Sequence, residues 1–126
     1  EYLINQGYDV KDHGAYEYDA LDDYPDFIFP CARAVASDPL SRGIILGGSG
    51  QGEAMAANRV KGVRAAVFYN GPIDIIKLSR EHNNANILSI GARFMSEDEI
   101  RGVLDVWFNE PFGGGRHQRR IDKLDF

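Results

Sequence analysis

Chemistry is concentrated in the stretch GIILGGSGQGEAMAANRV, residues 43–60. Four glycines, Gly47, Gly48, Gly50 and Gly52, fall within six residues, and a single carboxylate, Glu53, follows them. Glycine lets backbone N–H groups turn inward and lets a ligand approach closely. A helix that starts after such a loop adds partial positive charge at its N-terminus. The loop is therefore a cradle for an anion, and that anion can be an oxyanion that develops during a reaction. A carboxylate beside the cradle suits removal of a proton from carbon. The cradle then stabilises the enediolate while the base becomes neutral. The competing reading is that Glu53 only complements the helix dipole in the first turn, and the loop alone does not choose between the two. Nucleotide motifs fail on spacing. G-x-G-x-x-G would need a glycine where Glu53 stands, and a Walker A loop needs a lysine that this loop lacks.

Three other groups can do chemistry. His82 and Asn83, in REHNNAN, fall at a helix-to-strand junction. Imidazole titrates near neutrality and can move protons there; a surface histidine favoured by a helix C-terminus is the alternative. Arg116 and Arg120, in GGGRHQRRIDKL, are four residues apart. That spacing puts both guanidinium groups on one helix face, and such a pair suits a phosphate dianion. A solvated basic helix on an acidic protein is the alternative. Arg93, after an apolar run, is a further candidate for the phosphate side.

The elements that must position these groups can be read from the apolar pattern. Residues 1–6 end a helix that Gly7 stops. YDVKDHG is a short strand candidate, and AYEYDALDDY is an acidic loop. Pro25 opens the helix PDFIFPCARAVAS, which Pro30 should bend. RGIILGG is a strand of the kind buried on both faces. EAMAANRV is a helix ended by Gly62, VRAAVFY a strand, PIDIIKLSREH a helix and ANILSIG a strand. Ser96 and Glu99 form a capping box before IRGVLDVWFN, and a glycine turn at 113–115 leads into the closing basic helix. Strands alternating with helices predict an α/β fold with a mostly parallel sheet covered on both faces. Ligands in such sheets lie beyond the carboxyl ends of the strands, where the glycine loop falls.

Composition narrows the classes. The chain has 126 residues, a formal net charge of −5, 44% hydrophobic and 26% charged residues. This suits one domain, 1–126, with a modest core. The acidic balance disfavours nucleic acid as a partner, and no apolar run approaches a membrane span. The one cysteine, Cys31, cannot form an internal disulfide, and a reducing, cytoplasmic setting is expected.

The blocks GGSGQGEAMAANRVKGVRAAV, REHNNANILSIGAR and GGGRHQRRIDKL together resemble ribose-5-phosphate isomerase B and its sugar-phosphate isomerase relatives; GYDVKDHG followed by DDYPDF also fits. The resemblance runs from about residue 1 to the end, with the blocks in the family's order. It implies a Rossmann-like αβα sandwich, a homodimer or homotetramer with sites at the subunit interface, and interconversion of aldose and ketose phosphates without metal or organic cofactor. One branch of the family uses a cysteine as base at the position of Gly47. Another, the actinobacterial type, carries the glutamate of G-G-S-G-x-G-E, which is Glu53 here. The resemblance assigns Ser49, Gly48, Gly50 and Gly52 to the loop that holds the enediolate. It assigns His82 and Asn83 to ring opening and substrate oxygens, and Arg116, Arg120 and Arg93 to the phosphate. The family opens with a strand ending in Asp-His. We expect that strand upstream of these residues, so that the sheet and site here are incomplete, and we read Asp12-His13 as part of the second strand instead. The expected activity is isomerisation of a sugar phosphate. A catalytically silent sugar-phosphate-binding relative is the alternative, and a nucleotide-binding Rossmann protein a third.

Overall fold

Apolar runs bounded by glycine and proline become three short strands: β1 (Gly43–Gly47), β2 (Ala65–Phe68) and β3 (Ile87–Gly91). The computed structural model describes residues 1–126. The strands form one parallel sheet in the order β1-β3-β2, with Gly43 opposite Ile87, Gly47 opposite Gly91, and Phe68 opposite Ile90. Every residue of the central strand β3 is buried, as expected for a strand covered on both faces.

The covering helices are α1 (Tyr2–Asn5), α2 (Pro25–Ser37), α3 (Gln51–Ala57), α4 (Asp74–Glu81), α5 (Glu97–Asn109) and α6 (Arg116–Ile121). On one face Ile28, Ala32 and Val35 of α2 and Ala56 and Ala57 of α3 pack on Ile45 and Ile87. On the other, Ile76 of α4 and Val103, Leu104 and Trp107 of α5 pack on Phe68, Leu88 and Ile90. Successive residues of a strand point to opposite faces, so Ile87 belongs to one cluster and Leu88 to the other. The result is a helix–sheet–helix sandwich, the α/β architecture expected. Helix α2 runs through Pro30.

Two expectations are corrected. YDVKDHG forms no strand. Residues 9–15 make no backbone–backbone hydrogen bond, and the segment is held by other means: the Tyr8 ring lies 4.7 Å from that of Phe108, and the Asp12 carboxylate accepts from the Gly14 amide at 2.9 Å. A strand is stabilised through its ladder, and this segment has no neighbour to pair with. Helix α3 also stops earlier than expected, at Ala57 rather than at Val60. The Asn58 side chain takes over there, donating to the Ala65 carbonyl and accepting from the Ala65 amide, which ties the helix end to the start of β2. Tight turns follow, from Arg59 to Val63.

The capping box is present in full: Ser96 Oγ accepts from the Glu99 amide and Glu99 accepts from the Ser96 amide. Two otherwise orphaned donors at the start of α5 are thereby satisfied. Ser96→Ala should cost about 1 kcal/mol, read as a lower Tm in calorimetry with the sheet otherwise intact; an unchanged Tm would mean the cap carries no stability.

Candidate active site

At the carboxyl end of β1 the chain has no side chain at Gly47, and the Glu53 carboxylate occupies that space. A Cβ on residue 47 would overlap the Glu53 carboxyl group. Glu53 therefore folds back from the first turn of α3 over the strand end. It caps no helix amide, although its place in the first turn of α3 also lets it complement the helix dipole. Any side chain at residue 47 and the Glu53 carboxylate in this position would exclude one another sterically. Cys31 is no substitute nucleophile: it packs against the α2–α3 core, and burial pushes its thiol pKa up, away from the reactive thiolate.

The loop between Gly47 and α3 carries the donors. The amides of Gly48, Ser49, Gly50, Gly52 and Glu53 donate to no acceptor in the chain, and only Gln51 reaches one, Ser49 Oγ at 3.3 Å. Two glycines are needed to hold this shape. Gly50 has φ +77°, and a Cβ there would lie 3.0 Å from Ser89 Oγ and from the Ile90 carbonyl carbon; buried Ser89 in turn donates to the Gly50 carbonyl at 2.6 Å. Gly91, opposite Gly47 in the ladder, leaves room for the Ser49 carbonyl, which a Cβ would meet at 2.6 Å. Arg93 follows in a 3₁₀ turn, Ala92–Phe94. Its amide donates to the Gly48 carbonyl at 3.1 Å, and its guanidinium lies against Gly48. Ser49, Gly48, Gly50, Gly52, Glu53 and Arg93 thus form one cluster of free amides, one carboxylate and one cation, with no ion pair between Glu53 and Arg93.

Tyr24 joins this cluster, and the pattern reading missed it. A Cβ on Gly52 would come 2.7 Å from the Tyr24 hydroxyl, so Gly52 is what admits the phenol to the loop. The block DDYPDF was visible, but nothing in its spacing tied Tyr24 to a loop 28 residues on.

His82 and Asn83 lie elsewhere. They follow directly on α4, and together with His117, Arg120, Ile121 and Leu124 they line a separate cavity of about 220 Å³. Arg116 begins α6 one turn before Arg120 and is exposed. The strands are parallel, and α4 returns the chain from the carboxyl end of β2 to the amino end of β3, so this cluster sits at the opposite edge of the sheet from the glycine loop. A five-residue strand alone separates the two edges by roughly 13 Å. Within one chain the expected site residues are therefore two half-sites rather than one pocket.

A parallel αβα sandwich with free loop amides and a carboxylate at the strand ends belongs to the Rossmann-like proteins that bind ligands at the carboxyl edge of the sheet. The model of the ribose/galactose isomerase family matches residues 1–124, and the chain belongs to that family. It is 44% identical to the ribose-5-phosphate isomerase B of Mycolicibacterium paratuberculosis over 124 residues, which are 98% of this chain and 77% of that protein. The ribose-5-phosphate isomerase B of Mycobacterium tuberculosis is likewise 44% identical, over 98% of this chain and 76% of that one. The fold superposes on the crystal structure of Mycoplasma genitalium ribose-5-phosphate isomerase B with bound ribulose-5-phosphate, with a TM-score of 0.90, 42% identity, and 97% of this chain against 80% of that chain covered.

The Gly47–Glu53 contact makes a sharp prediction. Gly47→Ala should fold normally, because the atoms displaced are the end of a flexible side chain, yet lower kcat by about 100-fold through misplacement of the carboxylate. Isomerase assays beside circular dichroism check this; wild-type kcat in the variant would show that Glu53 need not lie over residue 47.

Proposed function

We propose that the chain is an aldose–ketose isomerase acting on a sugar phosphate, interconverting ribose 5-phosphate and ribulose 5-phosphate as one domain, 1–126. The observation that carries the mechanism is the Glu53 carboxylate lying over Gly47 beside unpaired loop amides. His82 assists opening of the sugar ring, and Asn83 binds a substrate oxygen. Glu53 takes the proton from C2 of the open-chain aldose. The negative charge that develops on the aldehyde oxygen is met by the amides of the Ser49–Gly52 loop, whose donors have no other partner to leave. The O2 hydroxyl proton passes to O1 and Glu53 returns its proton to C1, so that C1 becomes a hydroxymethyl carbon and C2 a ketone. The hydrogen moves within the substrate, so the step calls for no external oxidant or reductant. Arg116 and Arg120 grip the phosphate from one helix face, with Arg93 on the phosphate side. That the Mycoplasma genitalium relative was solved with ribulose-5-phosphate bound supports this substrate class.

A homodimer or homotetramer completes the site in this reading. The two half-sites lie at opposite ends of one sheet, so a two-fold axis can set one copy's Glu53 loop against a second copy's His82 and arginines.

Glu53→Gln should lower kcat by at least about 1000-fold while ribulose 5-phosphate still binds in calorimetry; near-normal turnover would remove Glu53 as the base. Mixing subunits of Glu53→Gln with subunits of His82→Asn tests the shared site. Each mixed dimer then carries one site with both residues intact, and random pairing should recover roughly a quarter of wild-type activity. No recovery would mean that each chain supplies its whole site.

A further inference from the structure

The cavity at the end of α4 holds a contact that the proposed mechanism has not used. The rings of His82 and His117 stack face to face, with centroids 4.3 Å apart and planes inclined by 15°. Neither ring makes a hydrogen bond within the chain. His82 is the residue just past α4, where the helix has ended. No hydrogen bond orients its imidazole, and the stacked partner is the contact that does so. The stack is in turn built by the glycine turn. The Gly113 amide donates to the Glu81 carbonyl at 2.9 Å, and a Cβ on residue 113 would press to 3.0 Å of that oxygen. Gly114 and Gly115 follow with φ +68° and +59°, a backbone that side-chain-bearing residues rarely adopt. The chain thus folds back on the end of α4 and delivers His117, in the first turn of α6, onto His82.

We infer that His117 is a positioning residue for ring opening: its flat face fixes the imidazole plane of His82, so that a ring nitrogen of His82 is presented to the sugar ring oxygen at the cavity. This inference rests on the isomerase reading, and on His82 acting in it. Two further features fit. Asn83 and Arg120 line the same cavity, so the ring that His117 holds faces the groups assigned to substrate oxygens and phosphate. The surroundings also favour an uncharged platform. Desolvation is the largest influence lowering the His117 pKa, with His82, Arg116 and Arg120 adding to it and Glu81 opposing. An uncharged ring stacks on its neighbour without charge repulsion.

A platform differs from an acid or a base in what can replace it. His117→Phe keeps a flat ring and removes both nitrogens, whereas His117→Ala removes the platform. Two rates are read for each. One is conversion of ribose 5-phosphate, which needs ring opening. The other is exchange of a C1 hydrogen of ribulose 5-phosphate in heavy water, followed by NMR, which starts from an open chain and so bypasses ring opening. His117→Ala should lower the first rate by roughly 10- to 100-fold and leave the second within about threefold of wild type, which also reports that the variant is folded. His117→Phe should restore most of the lost conversion. If the Phe variant is as poor as the Ala variant, if both rates fall together, or if Ala converts ribose 5-phosphate like wild type, His117 is not a positioning platform. Failure of the isomerase reading looks different: wild type itself would show neither conversion nor exchange.

Discussion

The empty side-chain position at Gly47 is the constraint on which the rest of the carboxyl edge depends. Gly47 closes the β1–β3 ladder opposite Gly91, so two strand ends terminate side by side without side chains. One gap receives the Glu53 carboxylate, and the other receives the Ser49 backbone. Because Ser49 lies across Gly91, the loop stays low over the sheet and its amides remain unpaired within the chain. A developing oxyanion can pair with such preorganised donors without moving them. The carboxylate and the amides are thus placed by the same backbone event, which is why they sit together at the strand end.

The opposite edge follows a different logic. Here the geometry comes from helix ends rather than strand ends. Arg80, 5% exposed, donates to Asn84 Oδ1 and to the Ala85 carbonyl, anchoring the turn that carries His82 and Asn83. The glycine turn 113–115 brings α6 to the same place. A parallel sheet has a direction, and crossover helices return the chain to its starting edge. Residues at a strand's end and residues at the following helix's end therefore cannot meet inside one chain. In the proposed mechanism this polarity makes assembly a condition of activity, and dilution below the dimer affinity would remove activity without unfolding the subunit.

Much of this is legible in the sequence alone. The alternation of apolar runs with helical periods led to the parallel sheet and its two covered faces, and Ser96 with Glu99 announced the start of α5. These features are local: each depends on residues within a turn or a strand of one another. YDVKDHG shows where local reasoning ends. Its alternation suits a strand, but a strand exists only if a neighbour pairs with it, and no neighbour is adjacent to it here. Asn58 shows the same limit at a helix end, since the atoms that stop α3 belong to Ala65.

The candidate site divides along the same line. Residue types and spacing determined the chemistry on offer: glycine amides for an anion, a carboxylate for a carbon-bound proton, paired arginines for phosphate. They do so because each property belongs to one residue or to a pair on one helix face. Tertiary structure decided which of these groups share a space. It set Glu53 over Gly47, brought Tyr24 to Gly52, stacked His117 on His82, and sent the two halves of the site to opposite edges of the sheet. Those outcomes depend on strand direction and on distances between residues far apart in the chain, which no short-range pattern encodes.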